Sequence, residues 1–153
     1  MLEQIKVVTL EQAVAAPLCT HRLALAGAEI IKIERPEGDF ARYYDSAVFG
    51  ESAYFVWLNA GKKSVVLDLR SDQGLSALKQ LIQRADVLVQ NLKPGALAKL
   101  GIDLAAVHEQ RPDFISVSIA GFSPDGPGRN RKAYDLLMQA ESGLADITGS
   151  PHA

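Results

Sequence analysis

One cysteine, Cys19, stands in the 153-residue sequence, so no disulfide can close within the chain, and a reducing, cytoplasmic setting suits it. Long apolar runs are lacking as well. No stretch reaches the roughly 18–20 apolar residues that a membrane helix needs, and Met1-Leu2-Glu3-Gln4-Ile5 does not have the layout of a signal peptide. Positive charge is not in excess: 16 Lys and Arg against 18 Asp and Glu leave a net charge of −2. That balance argues against nucleic acid as the main partner, which requires a basic field. His21, His108 and His152 are scattered, and Cys19 beside His21 does not match a zinc spacing, so no metal site is expected. P-loop, G-x-S-x-G and glycine-rich nicotinamide motifs are all missing.

An apolar share of 48% with 22% charged residues is the composition of a globular domain. No repeat, low-complexity tract or linker divides it, and residues 1–153 read as one continuous segment. The organising stretch is Ile5 to Asp39. Ile5–Leu10 is a β-branched strand, Pro17–Ala26 a helix with Pro17 in its first turn, and Glu29–Glu34 a second strand after Gly27. A β-α-β unit of this kind implies a right-handed crossover and a mainly parallel sheet.

Phe40–Gly50 has no period and is expected at the surface. Glu51–Asn59 carries Tyr54, Phe55 and Trp57 and admits either a short helix packed on the sheet or a strand. Strands are expected at Ser64–Leu69, Asp86–Val89 and Asp113–Ile119. Between them lie a helix capped by Ser71 or Asp72, with Gly74 a weak point in its first turn, a helix opened by Pro94 and stopped by Gly101, and one capped by Asp103. A Gly- and Pro-rich loop from Ala120 to Gly128 precedes a last helix over Ala133–Gly143. The fold class expected is three-layer, Rossmann-like α/β with about five strands.

In such a sheet the strand ends converge on one edge, where ligands bind. Arg35, Arg70, Lys99 and Lys132 lie past strands or on short helices near them, and a polyphosphate ligand would suit their donors. Taken singly, each is as well explained as a solvated charge. Tyr134 reads as a half-buried aromatic with a bonded hydroxyl, and Asp135 as the cap of the last helix. Glu34, at the end of the second strand, imitates the ribose-binding acid of dinucleotide-binding domains, which keeps a non-catalytic dinucleotide-binding module open as an alternative.

Several blocks share one further resemblance. VAAPLCTHRLALAGAEIIKIERPEGD, Leu58–Leu69 with Asn59-Ala60-Gly61-Lys62-Lys63-Ser64, Ala85–Gly95, Gly121-Phe122 with Gly126-Pro127, and Ala133-Tyr134-Asp135-Leu136 with Gln139-Ala140 occur in this order over nearly the whole chain. In order and spacing they resemble the family III CoA-transferases, the group similar to the carnitine and bile-acid enzymes, formyl-CoA transferase and the 2-methylacyl-CoA racemases. The resemblance implies the N-terminal part of that fold, in proteins of about 350–450 residues. It implies transfer of coenzyme A from an acyl-CoA to a carboxylic acid, with CoA as substrate and no tightly bound cofactor.

The same resemblance places Arg35, Leu67, Arg70, Asn91, Leu92, Ala96, Lys99 and Lys132 along the CoA groove. It sets Val14, where several members carry glutamine, and Tyr134 near the acyl group. Tyr134 stands where the racemases have histidine, which favours transferase over racemase; a racemase and a non-catalytic CoA-binding module stay open as alternatives beside the dinucleotide-binding one. The family nucleophile is an Asp of a Gly-Asp pair roughly thirty residues beyond Tyr134, past Ala153, so no catalytic residue is assigned. Interlocked homodimers are implied, or a C-terminal partner polypeptide, and with them exposed apolar surface on this segment.

Overall fold

The computed structural model describes residues 1–150, so His152 of the metal-site reading lies outside the described residues. Residues Met1–Ile119 and those from Ala120 onward form two compact units.

The first unit is built on a five-stranded, wholly parallel sheet: β1 (Lys6–Leu10), β2 (Glu29–Glu34), β3 (Lys63–Val66), β4 (Val87–Gln90) and β5 (Ile115–Ser118), in the order β3-β2-β1-β4-β5. This is the Rossmann order, with the reversal between β1 and β4. The expected strand Ser64–Leu69 is shorter at its far end. Leu67 N–H still donates to the Glu34 carbonyl at 2.9 Å, but β2 ends there and the ladder has nothing left to pair with.

Seven α-helices and one 3₁₀ turn are described. Helix α1 (Ala15–Leu25) begins two residues before its expected start, with Pro17 in the first turn as anticipated. It closes in a Schellman arrangement: Ala28 N–H reaches the Leu23 carbonyl and Gly27 N–H the Ala24 carbonyl. The surface segment holds the 3₁₀ turn Phe40–Tyr43, capped by Asp39.

The ambiguous Glu51–Asn59 stretch forms helix α2 (Ala53–Asn59), capped by Ser52. It buries Leu58 completely, while Tyr54 and Trp57 stay about half exposed, so the aromatics do not carry its packing. Helix α3 (Asp72–Arg84) takes Ser71 as its cap, the Oγ accepting from Gly74 N–H at 3.0 Å. Gly74 is a requirement here rather than a weak point: a Cβ on it would stand 2.2 Å from the Asp68 carbonyl oxygen. Helix α4 (Ala96–Lys99) starts two residues after Pro94 because Gly95 sits at φ +78°, outside helical space. Helix α5 (Leu104–Gln110) is capped by Asp103 as expected, through Ala105 and Ala106 N–H.

Alternation along the strands divides the core in two. Val8, Leu10, Ile33 and Leu88 face one side and pack with Leu78 and Ile82 of α3 and Phe114. Val7, Ile30 and Val89 face the other with Ala16 of α1. The central strands β1, β2 and β4 are therefore covered on both faces and are mostly apolar, while the edge strands β3 and β5 are more polar and exposed.

In the second unit the expected helix over 133–143 appears as α6 (Asp135–Glu141) and, beyond Gly143, α7 (Leu144–Ile147). Asp135 is not its cap. Tyr134 occupies that position without a side-chain bond, and Asp135 instead accepts from Gln139 Nε2 one turn on, at 2.6 Å.

Candidate functional site

The carboxyl ends of β1, β2 and β4 surround a recess of about 80 Å³ whose walls include Leu10, Gln12, Arg35, Gly38, Leu69 and Leu92. It lies where the strand order reverses, the place at which open α/β sheets bind ligands. Arg35, immediately after β2, is exposed, and its Nε donates to the Gly38 carbonyl at 3.0 Å.

Beneath this edge lies a buried ionic layer that the sequence reading missed. Lys32 Nζ donates to Asp39 Oδ2 at 2.7 Å and to Asn59 Oδ1 at 2.8 Å, and both ionic side chains are 1% exposed. Lys62 Nζ donates to Glu11 Oε1 at 2.6 Å and to the Pro17 carbonyl at 2.9 Å, while Glu11 Oε2 accepts from the hydroxyls of Thr9 and Thr20. Glu34 receives Arg42 in a two-pronged grip at 2.8 and 2.9 Å, the Ser64 hydroxyl at 2.6 Å and Asp39 N–H at 3.0 Å. The Arg42 guanidinium also lies 3.8 Å over the Phe55 ring. Among the described residues every buried side-chain polar atom has a partner.

With both oxygens engaged and the residue 3% exposed, Glu34 is not presented to a ribose. The feature that favoured a dinucleotide is a structural ion pair instead. One signal for this layer was in the sequence: Lys32 and Glu34 share a face of a strand that is otherwise isoleucine at 30, 31 and 33, and a charge on a central parallel strand needs a partner.

Burial pushes the Glu34 carboxyl up, but the hydrogen bonds from Arg42, Ser64 and Asp39 N–H, with the Arg42 charge, outweigh it and bring the group down to about 2. An unfolded glutamate titrates near 4.3. A depressed folded value means stability that is full above the unfolded value and is lost as pH falls from about 5 towards 2, about 3 kcal/mol in all. Glu34→Gln is expected to lower stability at neutral pH and to flatten that acid limb, measured by urea unfolding at stepped pH. A limb identical to wild type would mean that other carboxylates carry it.

The turn after β1 is held with equal care. Asn91, next after β4, receives Gln12 N–H on Oδ1 at 2.9 Å and donates Nδ2 to the Gln12 carbonyl at 2.8 Å. Ala13 N–H donates to Asp39 Oδ1 at 3.2 Å. Ala13 itself has φ +63°, a left-handed conformation that costs a non-glycine residue about 1–3 kcal/mol. Val14 comes next, as the residue preceding α1.

Of the remaining candidates, Leu67 and Leu92 are half-buried and pack against the α3 side of the core. Arg70 is exposed and turned onto its neighbour Asp68, with Nε–Oδ1 2.9 Å and Nη2–Oδ2 3.2 Å; its hydrogen bond holds the Asp68 carboxyl below the usual range. Ala96 and Lys99 lie on α4, Lys99 exposed. Arg35, Leu67, Arg70, Asn91, Leu92, Ala96 and Lys99 thus all belong to the first unit, and Lys132 and Tyr134 to the second, where Tyr134 is 62% exposed. Among the described residues no three His, Cys, Asp or Glu side chains gather as a metal site, and no helix is long and apolar enough to cross a membrane.

The model of CoA-transferase family III matches residues 2–153. Human succinyl-CoA:glutarate CoA-transferase is 37% identical over 150 residues, covering 97% of this chain and 34% of that protein. Formyl-CoA:oxalate CoA-transferase of Escherichia coli O6:H1 is 38% identical over 150 residues, covering 97% and 36%. The crystal structure of a CaiB/BaiF family protein from Brucella suis superposes with a TM-score of 0.90 at 36% identity, covering 99% of this chain and 42% of that one. The chain thus spans well under half the length of these relatives.

Proposed function

Because the chain belongs to CoA-transferase family III, we propose that the protein of which it is part moves coenzyme A from an acyl-CoA thioester to a free carboxylic acid, and that this segment supplies much of the CoA site. The observation that carries the reading is the recess at the strand-order reversal with Arg35 at its rim, its guanidinium facing solvent and held by one carbonyl. A charged fork in that position is suited to the phosphates of CoA. Lys99 is a further exposed cation of the first unit available to the same ligand, and in the second unit Lys132 and Tyr134 are exposed.

Tyr134 favours transfer over racemisation, since a phenol is a poorer proton acceptor at neutral pH than the histidine of the racemases. The attacking carboxylate is expected beyond Tyr134 in the Gly-Asp pair of the family, where it would form an aspartyl anhydride and then an aspartyl-CoA thioester. The relatives act on glutarate and oxalate as their names say, and a small dicarboxylic acid is the acceptor class proposed here.

A homodimer, or a C-terminal partner polypeptide, is part of the proposal. It is supported by a surface row of aromatic rings, Phe40, Tyr44, Tyr54 and Trp57, spaced 5.9, 6.0 and 6.4 Å and each more than a third exposed. Such a continuous patch is typical of a covered face.

Calorimetric titration with CoA tests the ligand. Arg35→Ala is expected to weaken CoA by about 1.5–3 kcal/mol, the worth of a charged hydrogen bond. An unchanged affinity removes Arg35 from the site, and binding of NAD with no heat from CoA overturns the reading. Deuterium uptake at C2 of a 2-methylacyl-CoA as fast as CoA exchange between acids would replace transfer by racemisation.

A further inference from the structure

The Asn91 side chain has a use that sequence comparison did not assign to it. Both polar ends of its amide are engaged by the backbone of one residue, Gln12, whose N–H and carbonyl it meets at 2.9 and 2.8 Å. The two residues are 79 positions apart in the chain and are brought together because β1 and β4 are neighbours, with Leu10 paired to Gln90. The clamp therefore bridges the two parallel strands between which the strand order reverses. It fixes the backbone immediately before Ala13, whose φ of +63° is unfavourable for any residue with a Cβ. Asp39 holds the next amide, that of Ala13, from the β2 side, and Glu11 is pinned just before it by Lys62, Thr9 and Thr20.

Such convergence on one turn has a physical reason. A left-handed alanine persists only where its surroundings over-determine it, and strain of this kind collects at sites that must be held in place. Immediately after the strained residue stands Val14, at the start of α1, and Gln12 itself walls the recess.

We propose that Asn91 is a positioning residue: it holds the Gln12–Val14 turn in the conformation that shapes the acyl end of the site, and does not bind CoA through its own side chain. The acyl-end assignment and the CoA half rest on the transferase reading given above; the clamp on the turn rests on the geometry alone. Asn91 carries one acceptor and one two-hydrogen donor group, and in the clamp each already has a partner. The lone pair and the N–H that the clamp leaves over could be reached only without turning the amide plane, which the two bonds to Gln12 fix.

The test uses the full-length protein in three forms, wild type, Asn91→Ala, and Asn91→Ala combined with Ala13→Gly. Amide hydrogen exchange reads the turn without any ligand. Asn91→Ala is expected to speed exchange at Gln12 and Ala13 by at least about tenfold while the β4 amides keep their protection. Titration with free CoA is expected to leave Kd within about twofold of wild type, whereas kcat for exchange between acids falls about tenfold or more. Ala13→Gly, which adopts positive φ without a Cβ clash, is expected to recover a large part of kcat in the clampless protein.

Unchanged exchange at Gln12 overturns the clamp. A Kd for CoA weakened about tenfold with kcat intact overturns the positioning role and makes Asn91 a CoA ligand. Loss of kcat that glycine does not rescue also counts against it, since the turn would then not be what Asn91 governs. If the wild type binds no CoA, the transferase reading and the CoA half of the proposal fail together, while exchange at Gln12 still decides the clamp.

Discussion

Lys62→Met is expected to lower the unfolding free energy by about 3–5 kcal/mol, the cost of leaving a buried charge without its partner. The Glu11 side chain has no exposed surface and Lys62 is 1% exposed, so neither group can turn to water for compensation. The two threonine hydroxyls on Glu11 Oε2 would remain, but hydroxyl donors supply no counter-charge. The carbonyl of Pro17, which accepts from Lys62, also loses one donor and keeps the Thr20 hydroxyl at 3.3 Å, and a thioether cannot replace the lost N–H. Lys62→Met combined with Glu11→Gln is expected to recover a good part of the loss, because a neutral amide can still accept from the threonines and no lone charge is left. Denaturant unfolding of the two variants checks this. A single variant within about 1 kcal/mol of wild type would show that water reaches Glu11.

Lys62 also gives a pH signature. Burial holds its ammonium below the ordinary lysine value, and the attraction of Glu11 offsets only part of that. The unfolded chain then holds the proton more tightly than the folded one. Between the lowered value and the free-lysine value near 10.4, wild-type stability accordingly gains a rising component with pH, which Lys62→Met removes.

Lys32→Met carries the second large effect, again about 3–5 kcal/mol by the same reasoning. Its Nζ joins Asp39 to Asn59 and lies 5.1 Å over the Phe55 ring, so one side chain ties the loop after β2 to helix α2. Methionine preserves most of the volume and none of the charge. Asp39 keeps two backbone donors, Ala13 and Ala41 N–H, which is why the loss is bounded rather than complete unfolding. The partner change Asp39→Asn alone strands the Lys32 ammonium. The double variant is expected to lose less than the sum of the two, by about 1–3 kcal/mol of coupling, since neither charge then remains. Strict additivity would mean that the pair contributes nothing as a pair. Because Asp39 also holds Ala13, the Lys32 variant is expected to loosen the β1–α1 turn as well.

Much of this molecule was legible from residue order alone. The strands were visible because β-branched residues cluster over four to six positions, and the capping groups Ser71 and Asp103 because a cap and the N–H it satisfies lie two or three residues apart. Pro17 in a first turn and Gly27 past a last one carry their own backbone rules. The ordered blocks from Val14 to Ala140 were enough to show the family resemblance.

Ambiguity remained where the deciding contact was less local. Glu51–Asn59 fits either period over so few residues, and the helix goes with the Ser52 cap and the complete burial of Leu58. Gly74 looked like a flaw until the Asp68 carbonyl was found against it.

Lys32 and Glu34 on one face of a central strand signalled that charges were buried there, but which groups pair with one another lay beyond reach. Glu11 and Lys62 are 51 residues apart, Lys32 and Asn59 are 27, and Gln12 and Asn91 are 79. Each of these pairs exists only because the sheet runs β3-β2-β1-β4-β5 and delivers the strand ends to one edge. Local sequence determines which residues are helical, extended or capped, since those interactions span a single turn. Whether a charge is solvated or buried against its counter-ion depends on which strands lie side by side, and that was decided by the tertiary structure alone.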